Sequence, residues 1–508
     1  MDLANRFYKE WFTNQSWWFN ATVKDDIYIT NTYERLLDLR LNNISISIPN
    51  IYKVIIWDQL PRHVFRNQDA NHIIEFFLQK ALEIVISIAK SNEASTYSLE
   101  EWIFFMLPFR HTKNPIVINE VMKLIWKEKA NDLHNPLFRR FIKATYERCP
   151  MDQMHLTVLY NYECFKCSYK TPPAISIYDS LIYKTFKNNM MRVLKHHDLN
   201  EPIIISLSGG VDSMICSLLM KYLGTILNIH WCAVHINYTN RKTHLNEEEF
   251  VKKWCQILAI KLYVRRINEI NRPMCMANEL RDTYETYTRN VRYNTYKVIH
   301  KFPTVVMGHN QDDCIENILT NIVQQQKYDC LSGMEEDSYQ DGIRFIRPIL
   351  SVSKSEIYDF AKEFEIDHLP DSTPDWSQRG QIRTQVRPVL EKWDTRTPKG
   401  FLQLNIYMKD LHSCMNIVVN NMLKKTINGV LELEESTFPE MILVWRTYFL
   451  KFTNITVSYS SLKTFLWRVS MLKENENKNN IVTTKIPLSK DLTVTIKKID
   501  KIYNIIFS

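Results

Sequence analysis

Between the apolar run Ile203-Ile204-Ile205-Ser206-Leu207 and the apolar stretch Met214 to Leu223 lies Ser208-Gly209-Gly210-Val211-Asp212-Ser213. A buried strand, a glycine pair and a helix in immediate succession constrain the fold strongly. Open α/β sheets bind ligands at the carboxyl ends of their strands. Adjacent glycines let the backbone turn tightly and bring its N–H groups to an anion, and the following helix points its positive end there. Ser208 and Ser213 add hydroxyl donors. Asp212 would repel a phosphate unless it holds a cation or a backbone turn, so Mg²⁺ at Asp212 is implied. The Gly-Lys-Ser/Thr ending of the Walker sequence is missing, which makes this a different kind of nucleotide loop. The plainer alternative is a Gly-Gly turn capped by Asp and Ser.

The surrounding pattern extends this reading. Strand-like runs at Ile229–Ile236, Lys261–Arg266 and Thr304–Gly308 alternate with helical stretches at Glu247–Leu258, Asn278–His300 and from Asp313 onward. Such alternation requires crossovers, hence a doubly wound parallel sheet with helices on both faces. Residues 1–175 read as an all-helical domain, with apolar residues at helical spacing in His72–Val85 and Asn119–Trp126. Pro150, Cys164, Cys167, Pro172 and Pro173 break the pattern and mark a junction. Residues 176–400 are the α/β domain. Residues 401–508 form a smaller α+β region with short strands at Ile481–Ile486 and Leu492–Ile496. Three domains suit 508 residues, and no repeat at a fixed period is visible.

Charge points to a polyanionic partner. The chain carries +8 overall, and residues 401–508 hold 14 Lys/Arg against 9 Asp/Glu, a net of +5. Lys424, Lys425, Lys497 and Lys498 occur there as adjacent pairs; a solvated lysine face is the plainer reading. Trp467 and Tyr503 read as core. The start Met1-Asp2-Leu3-Ala4-Asn5-Arg6 has no signal-peptide pattern, and no run of about 18 apolar residues could span a bilayer. The 10 cysteines are scattered, as expected for reduced thiols in the cytoplasm.

Ser208–Ser213 resembles the signature of the PP-loop ATP pyrophosphatases, which cleave ATP to AMP and pyrophosphate while adenylating an acceptor. Further matches follow in order. Ala233-Val234-His235-Ile236-Asn237 is similar to the tRNA-modifying branch. Glu285 and Thr288-Arg289-Asn290-Val291-Arg292-Tyr293 resemble the E-x-x-A-R-x-x-R-Y helix of tRNA(Ile)-lysidine synthetase, with Thr288 for Ala. Gly308-His309-Asn310-Gln311-Asp312-Asp313-Cys314-Ile315-Glu316-Asn317 looks like the family's H-x-x-D-D-x-x-E-T segment, with Asn317 for Thr. Asp371-Ser372 and Arg379-Gly380-Gln381-Ile382-Arg383 come next, with Gly380 where the family has Asn.

The resemblance implies ATP held by Ser208, Gly209, Gly210, Val211, Asp212 and Ser213 with His235 and His309 nearby, and Mg²⁺ on Asp212. It implies catalytic roles for Asp212, Arg289, Asp313 and Glu316, and tRNA contacts for Arg292, Arg379 and Arg383. The reaction implied is adenylation of a wobble cytidine in tRNA, followed by attack of free lysine at C2. Asp313 and Glu316, three apart on a helix, share a face on which they could grip an ammonium; acids complementing a helix N-terminus would look the same. Arg289 and Arg292 equally suit surface ion pairs, and His235 and His309 suit plain packing. PP-loop tRNA thiolation and a non-catalytic tRNA scaffold are the alternatives. Thiolating relatives use cysteines, for which Cys164-Phe165-Lys166-Cys167 is the visible candidate. With Cys149 and His155 it could form a zinc site, but the second pair is missing, and neither zinc nor an iron–sulfur centre is expected.

Near the start, Trp57-Asp58-Gln59-Leu60-Pro61-Arg62-His63-Val64-Phe65-Arg66 and Phe105-Met106-Leu107-Pro108-Phe109-Arg110-His111 resemble a tetratricopeptide-like helical family of unknown function. Its typical segment reads M-P-F-M-H-S-E, so Arg110 replaces a Met and Lys113 a Glu. Asp58, Arg62 and His111 read as a polar cluster that locks helices together.

Overall fold

The alternating runs fold into one sheet. The protein is seen here as a computed structural model that describes residues 2–38, 48–66, 68–91, 93–149, 159–162, 174–195, 197–198, 201–324, 331–371, 373, 377–474 and 482–507. Strands β1 (Leu159–Tyr162), β2 (Ile203–Ser206), β3 (Trp231–Asn237), β4 (Leu262–Arg266), β5 (Thr304–Val306), β6 (Asp337–Gln340) and β7 (Ile343–Ile346) lie in the order β1-β4-β3-β2-β5-β7-β6. The five inner strands are parallel, with Ile204 registered against Cys232 on one side and Val305 on the other. They are near-continuous apolar runs because crossover helices cover parallel sheets on both faces. From β2 the chain winds first through β3 and β4, then to β5 and β7 on the other side. The order therefore reverses at β2, which puts the ends of β2 and β5 at a topological switch point.

Three departures from the sequence reading have local causes. The helix expected over 278–300 runs from Arg281 to Ile299 and is preceded by a short helix, Arg272–Ala277, that was not expected; Glu279, with a left-handed φ of 58°, separates the two. Residues 1–175 are not wholly helical, since β1 lies among them and pairs antiparallel with the outer edge of β4. An edge strand left bare would present unpaired N–H and C=O groups, which β1 satisfies. The hairpin β6–β7 turns at Asp341-Gly342, with φ of 51° and 76°; an Asp-Gly pair supplies the two left-handed residues such a turn needs.

Two compact units divide the chain: Met1–Gly308, Glu336–Ile349 and Ser355–Pro370 form one, and His309–Glu335, Leu350–Lys354 and Asp371–Ser508 the other. In the first, the N-terminal helices share their core with the sheet domain. Trp102, Ile118, Met122, Phe138 and Ile142 belong to one buried cluster with Ile267, Ile270, Cys275, Tyr287 and Val291. Glu269 joins the two parts: its carbonyl accepts from Trp126 Nε1 at 3.0 Å and Tyr146 Oη at 2.5 Å, and its carboxylate accepts from Tyr287 Oη at 2.7 Å and from Arg265.

The second unit contains an antiparallel sheet of β8 (Thr426–Ile427), β9 (Val430–Glu434), β10 (Val482–Pro487), β11 (Thr493–Ile499) and β12 (Ile502–Phe507), ordered β10-β11-β12-β9-β8. Its core joins Met415 and Val419 of helix Thr397–Lys425 to Trp445, Phe449, Phe465, Val494, Ile496 and Tyr503. Tyr503 is core as expected, but Trp467 is not: it is 59% exposed. Lys424, Lys425 and Lys497 are exposed. Lys498 instead donates to Leu472 O at 2.9 Å and pairs with Glu435 at 3.5 Å, so it serves the fold. Among the described residues no helix is long and apolar enough to cross a membrane.

Candidate functional site

The loop after β2 is built from its own hydroxyls and from the absence of side chains. Ser208 N–H donates to Ser213 Oγ at 3.2 Å, Gly210 N–H donates to Ser208 Oγ at 3.3 Å, and Ser213 Oγ donates to Gly210 O at 2.9 Å. Gly209 has φ of 90°, and a Cβ there would stand 2.6 Å from Leu369, whose N–H donates to Gly209 O at 2.9 Å. Gly308, just after β5, lies against the start of helix Val211–Leu227; a Cβ on it would meet Asp212 C and Ser213 N at 2.9 Å. Two strand ends and a helix start thus converge where only glycine fits.

Gly210 is the N-cap of that helix and provides no side-chain cap. An uncapped helix start leaves N–H groups and the positive end of the dipole available to an oxyanion. His235 is buried at the neighbouring strand end and donates from Nδ1 to Leu207 O at 2.9 Å. Burial holds its pKa below the ordinary value, so it is a neutral ring that fixes the residue before the loop. Tyr296 Oη lies 2.8 Å from Ser206 Oγ and ties helix Arg281–Ile299 to the end of β2. On that helix Arg289 is exposed, whereas Arg292 is partly buried against Tyr293 at 5.5 Å from the ring centroid, so the two face different surroundings. Thr288 Oγ1 donates to Tyr284 O at 2.8 Å, a bond within the helix that fills the place of the family's Ala without a new partner.

The other predicted residues assemble in the second unit. Asn310 caps helix Gln311–Val323 by a capping box with Asp313, whose Oδ2 accepts from Asn310 N–H at 3.0 Å. Asp313 and Glu316 are both buried. Arg379 and Arg383, expected to touch tRNA, are paired here with these carboxylates. Arg379 bonds Asp313 and donates from Nε to Glu316 at 3.2 Å. Arg383 donates to both Glu316 oxygens, at 2.7 and 3.2 Å, and also bonds Asp371. Burial pushes the Asp371 carboxyl up, but the Thr373 N–H and hydroxyl together with Arg383 outweigh it and hold it low.

The backbone that presents these arginines is unusual. Between helices Gln378–Gln381 and Arg387–Trp393 the segment Ile382–Val386 is a π-helical turn, with Arg387 N–H bonded to Ile382 O. Pro388 explains it: its ring would collide with the carbonyl four residues back in a regular helix, and a wider turn removes the clash. Sequence reasoning missed two parts of this constellation. Arg387 pairs with Asp312 at 2.9 Å and with Glu391, and its four-residue step from Arg383 was the available signal. Leu369, the packing partner of Gly209, gave none. His309 directly follows Gly308 and opens the second unit. Cys164, Cys167, His155 and Ser372 lie outside the described residues.

Residues 182–390, which contain the parallel strands β2–β5 and β7 and the glycine-built loop at their switch point, match a family model described as a PP-loop domain. Residues 7–165 match a second family, described as a bacterial protein of unknown function (DUF924). Curated relatives of the chain include lysidine synthases. A tRNA(Ile)-lysidine synthase of Bacteroides thetaiotaomicron is 25% identical over 44% of this chain and 50% of its own length. One of Chlamydia muridarum is 28% identical over 38% of this chain and 59% of its own length. The bifunctional protein TilS/HprT of Listeria monocytogenes is 24% identical over 46% of this chain and 37% of its own length. The chain thus spans from about a third to three fifths of these relatives. Among solved structures, the U34-tRNA thiolase NcsA of Methanococcus maripaludis with its [4Fe-4S] cluster is 17% identical with a TM-score of 0.37, covering 49% of this chain and 87% of that one.

Proposed function

We propose that this protein is an ATP-dependent tRNA-modifying enzyme of the cytoplasm that forms lysidine at a wobble cytidine. The uncapped, glycine-built helix start after β2 carries this reading, because it suits a triphosphate and lacks a Walker lysine. The loop N–H groups with Ser208 and Ser213 hold the phosphates. Asp212, in the first turn, would hold Mg²⁺ together with phosphate oxygens and water, a ligand set that this ion favours. Bound there, Mg²⁺ would screen the phosphate charge. The cytidine O2 attacks the α-phosphorus and pyrophosphate leaves. The lysine ε-amine then attacks C2, losing a proton, and AMP leaves with the oxygen. Adenylation turns a poor leaving oxygen into a good one.

The charge balance of the second cluster supports lysine as the nucleophile. Asp313, Glu316 and Asp371 face Arg379 and Arg383, and Asp312 and Glu391 face Arg387, five carboxylates against three guanidiniums. The excess of negative charge suits an ammonium. Residues 1–175, 176–400 and 401–508 are proposed as helical, catalytic and tRNA-binding parts. Incubation with tRNA, ATP and lysine should yield AMP and pyrophosphate, with lysidine detected by nucleoside mass spectrometry. ADP and phosphate as products would overturn the assignment; sulfur in the nucleoside would favour thiolation.

A further inference from the structure

One short helix of the second unit carries an arginine of the carboxylate cluster at its start and a bare tryptophan at its end. Helix Arg387–Trp393 is anchored by Arg387, which pairs with Asp312 and with Glu391, each at 2.9 Å. Trp393, the last residue, is 80% exposed, more than any other large apolar side chain among the described residues. Val389, one turn earlier on the same face, is 67% exposed. The corner that follows is braced. Asp394 N–H donates to Leu390 O at 3.0 Å, and Thr397 Oγ1 donates to Leu390 O at 3.1 Å and to Asp394 O at 2.7 Å. Asp394 in turn holds Arg396, whose Nη2 donates to Oδ2 at 2.7 Å and whose Nε donates to the two oxygens at 3.1 and 3.2 Å. Arg396 Nη1 has no partner among the described residues, and the side chain is 85% exposed.

A ring in this setting suits an unpaired nucleobase. An indole left in water forgoes the burial of a large apolar surface, and the braced corner holds it in place before anything binds. Both carboxylates of the stretch are engaged, Glu391 by Arg387 and Asp394 by Arg396. Lys392 and Lys399 are exposed and have no carboxylate partner among the described residues. The ring is therefore flanked by uncompensated positive charge, which favours a polyanion over an apolar protein face. Bases of RNA loops are held on aromatic rings and guanidinium planes, and every base offers a π-face to stack. Trp393 lies six residues beyond Arg387 on one helix, about 9 Å along the axis at ~1.5 Å per residue. That is about three nucleotides at ~3.4 Å each, so a base stacked on Trp393 and a base presented to the carboxylate cluster can belong to one loop.

We propose that Trp393 is a stacking platform for an unpaired base in the loop of the substrate RNA, with Lys392, Arg396 and Lys399 on the adjoining phosphates. The platform presupposes the tRNA reading given above and names the face that holds the loop beside the cluster. Its test is binding and needs no chemistry: the full chain is titrated with a labelled tRNA anticodon stem-loop by fluorescence anisotropy, with a fully paired RNA duplex of equal length as the control. Trp393→Ala removes a side chain that the fold leaves in water. It should weaken stem-loop binding roughly 5- to 100-fold and leave duplex binding unchanged. Trp393→Phe should keep most of the affinity and Trp393→Leu should not, because stacking needs a π-face rather than apolar bulk. Equal stem-loop affinity in Trp393→Ala and the unaltered protein overturns the platform, as does Leu restoring affinity as well as Phe. Self-association in sedimentation that Trp393→Ala abolishes would assign the face to a second copy of the chain and overturn it too. The two readings fail separately. Lysidine formed by Trp393→Ala at an unchanged KM for tRNA refutes the platform alone, whereas stem-loop binding through Trp393 in a protein that forms no lysidine upholds the platform and refutes the lysidine reading.

Discussion

Asp313 serves two partners with its two oxygens, the Asn310 N–H and Arg379, and this sets what a conservative change there does. Asp313→Asn keeps the size and the capping acceptor but removes a negative charge from a cluster in which carboxylates outnumber arginines. It should raise the apparent KM for lysine by roughly 30- to 1000-fold, from a lost contact of about 2–4 kcal/mol, while pyrophosphate release in the adenylation step is spared. Steady-state kinetics with lysine varied would decide; unchanged lysine dependence moves the amine pocket elsewhere. Acid stability belongs to this scale too. Burial lifts the Asp58 carboxyl, but His111 and Arg62 outweigh it and hold it low, while burial holds His63 and His111 below their ordinary value. An unfolded chain therefore binds protons first, on the histidines as pH falls through about 6.5 and on Asp58 below about 4. All three contributions are complete at neutral pH and lost on acidification. Tm measured between pH 8 and 3 should fall in those two windows, and Asp58→Asn should flatten the lower one.

Helix starts and turns show which elements were legible in the sequence. The PP-loop could be read because strand, glycine pair and helix each carry a local signal, and the inner strands followed from their apolar runs. The hairpins at Asp341-Gly342 and Asn428-Gly429 were equally local: the second pair has φ of 50° and 74°, the left-handed pair that joins β8 to β9. Those signals stood in the sequence and were not used. By contrast, nothing local could reveal that Arg379 and Arg383 meet Asp313 and Glu316 across more than 60 residues, or that Trp467 faces solvent. Gly308 and Gly209 allow a test at this scale. Gly308→Ala would press a methyl against backbone that cannot yield, whereas at Gly209 the nearest atom is a movable Leu369 methyl but φ itself disfavours a side chain. Each should cost about 1–3 kcal/mol in thermal stability, and Gly308→Ala should weaken ATP binding more, as read by nucleotide titration.

At the scale of the molecule, charge and shared core make separate demands. Lys424, Lys425 and Lys497 are the exposed members of the basic pairs. Replacing all three with Glu should weaken tRNA binding and flatten the log–log salt dependence by about 2–3, at ~0.7–0.9 per phosphate contact. Fluorescence anisotropy over a salt series checks this; an unchanged slope makes the lysines a solvated face. Cutting the chain near residue 400 is a poorer test, because Phe401 and Leu404 pack on Cys314, Ile318 and Leu350, next to the carboxylate helix.

The short strand β1 has a consequence for how this molecule can fail. It lies between the N-terminal helices and the sheet domain in sequence, and it covers the outer edge of β4 along four registered pairs, Leu159–Arg265 to Tyr162–Leu262. A chain begun after it, near Ala174, would retain the inner strands and the PP-loop. It would also carry a bare strand flanked by apolar surface that the N-terminal helices had covered, a template for the same strand of another copy. Its fault in solution should be a growing particle size at rising concentration, detectable by light scattering while the circular dichroism stays native-like. The N-terminal region would then be an internal guard against aggregation.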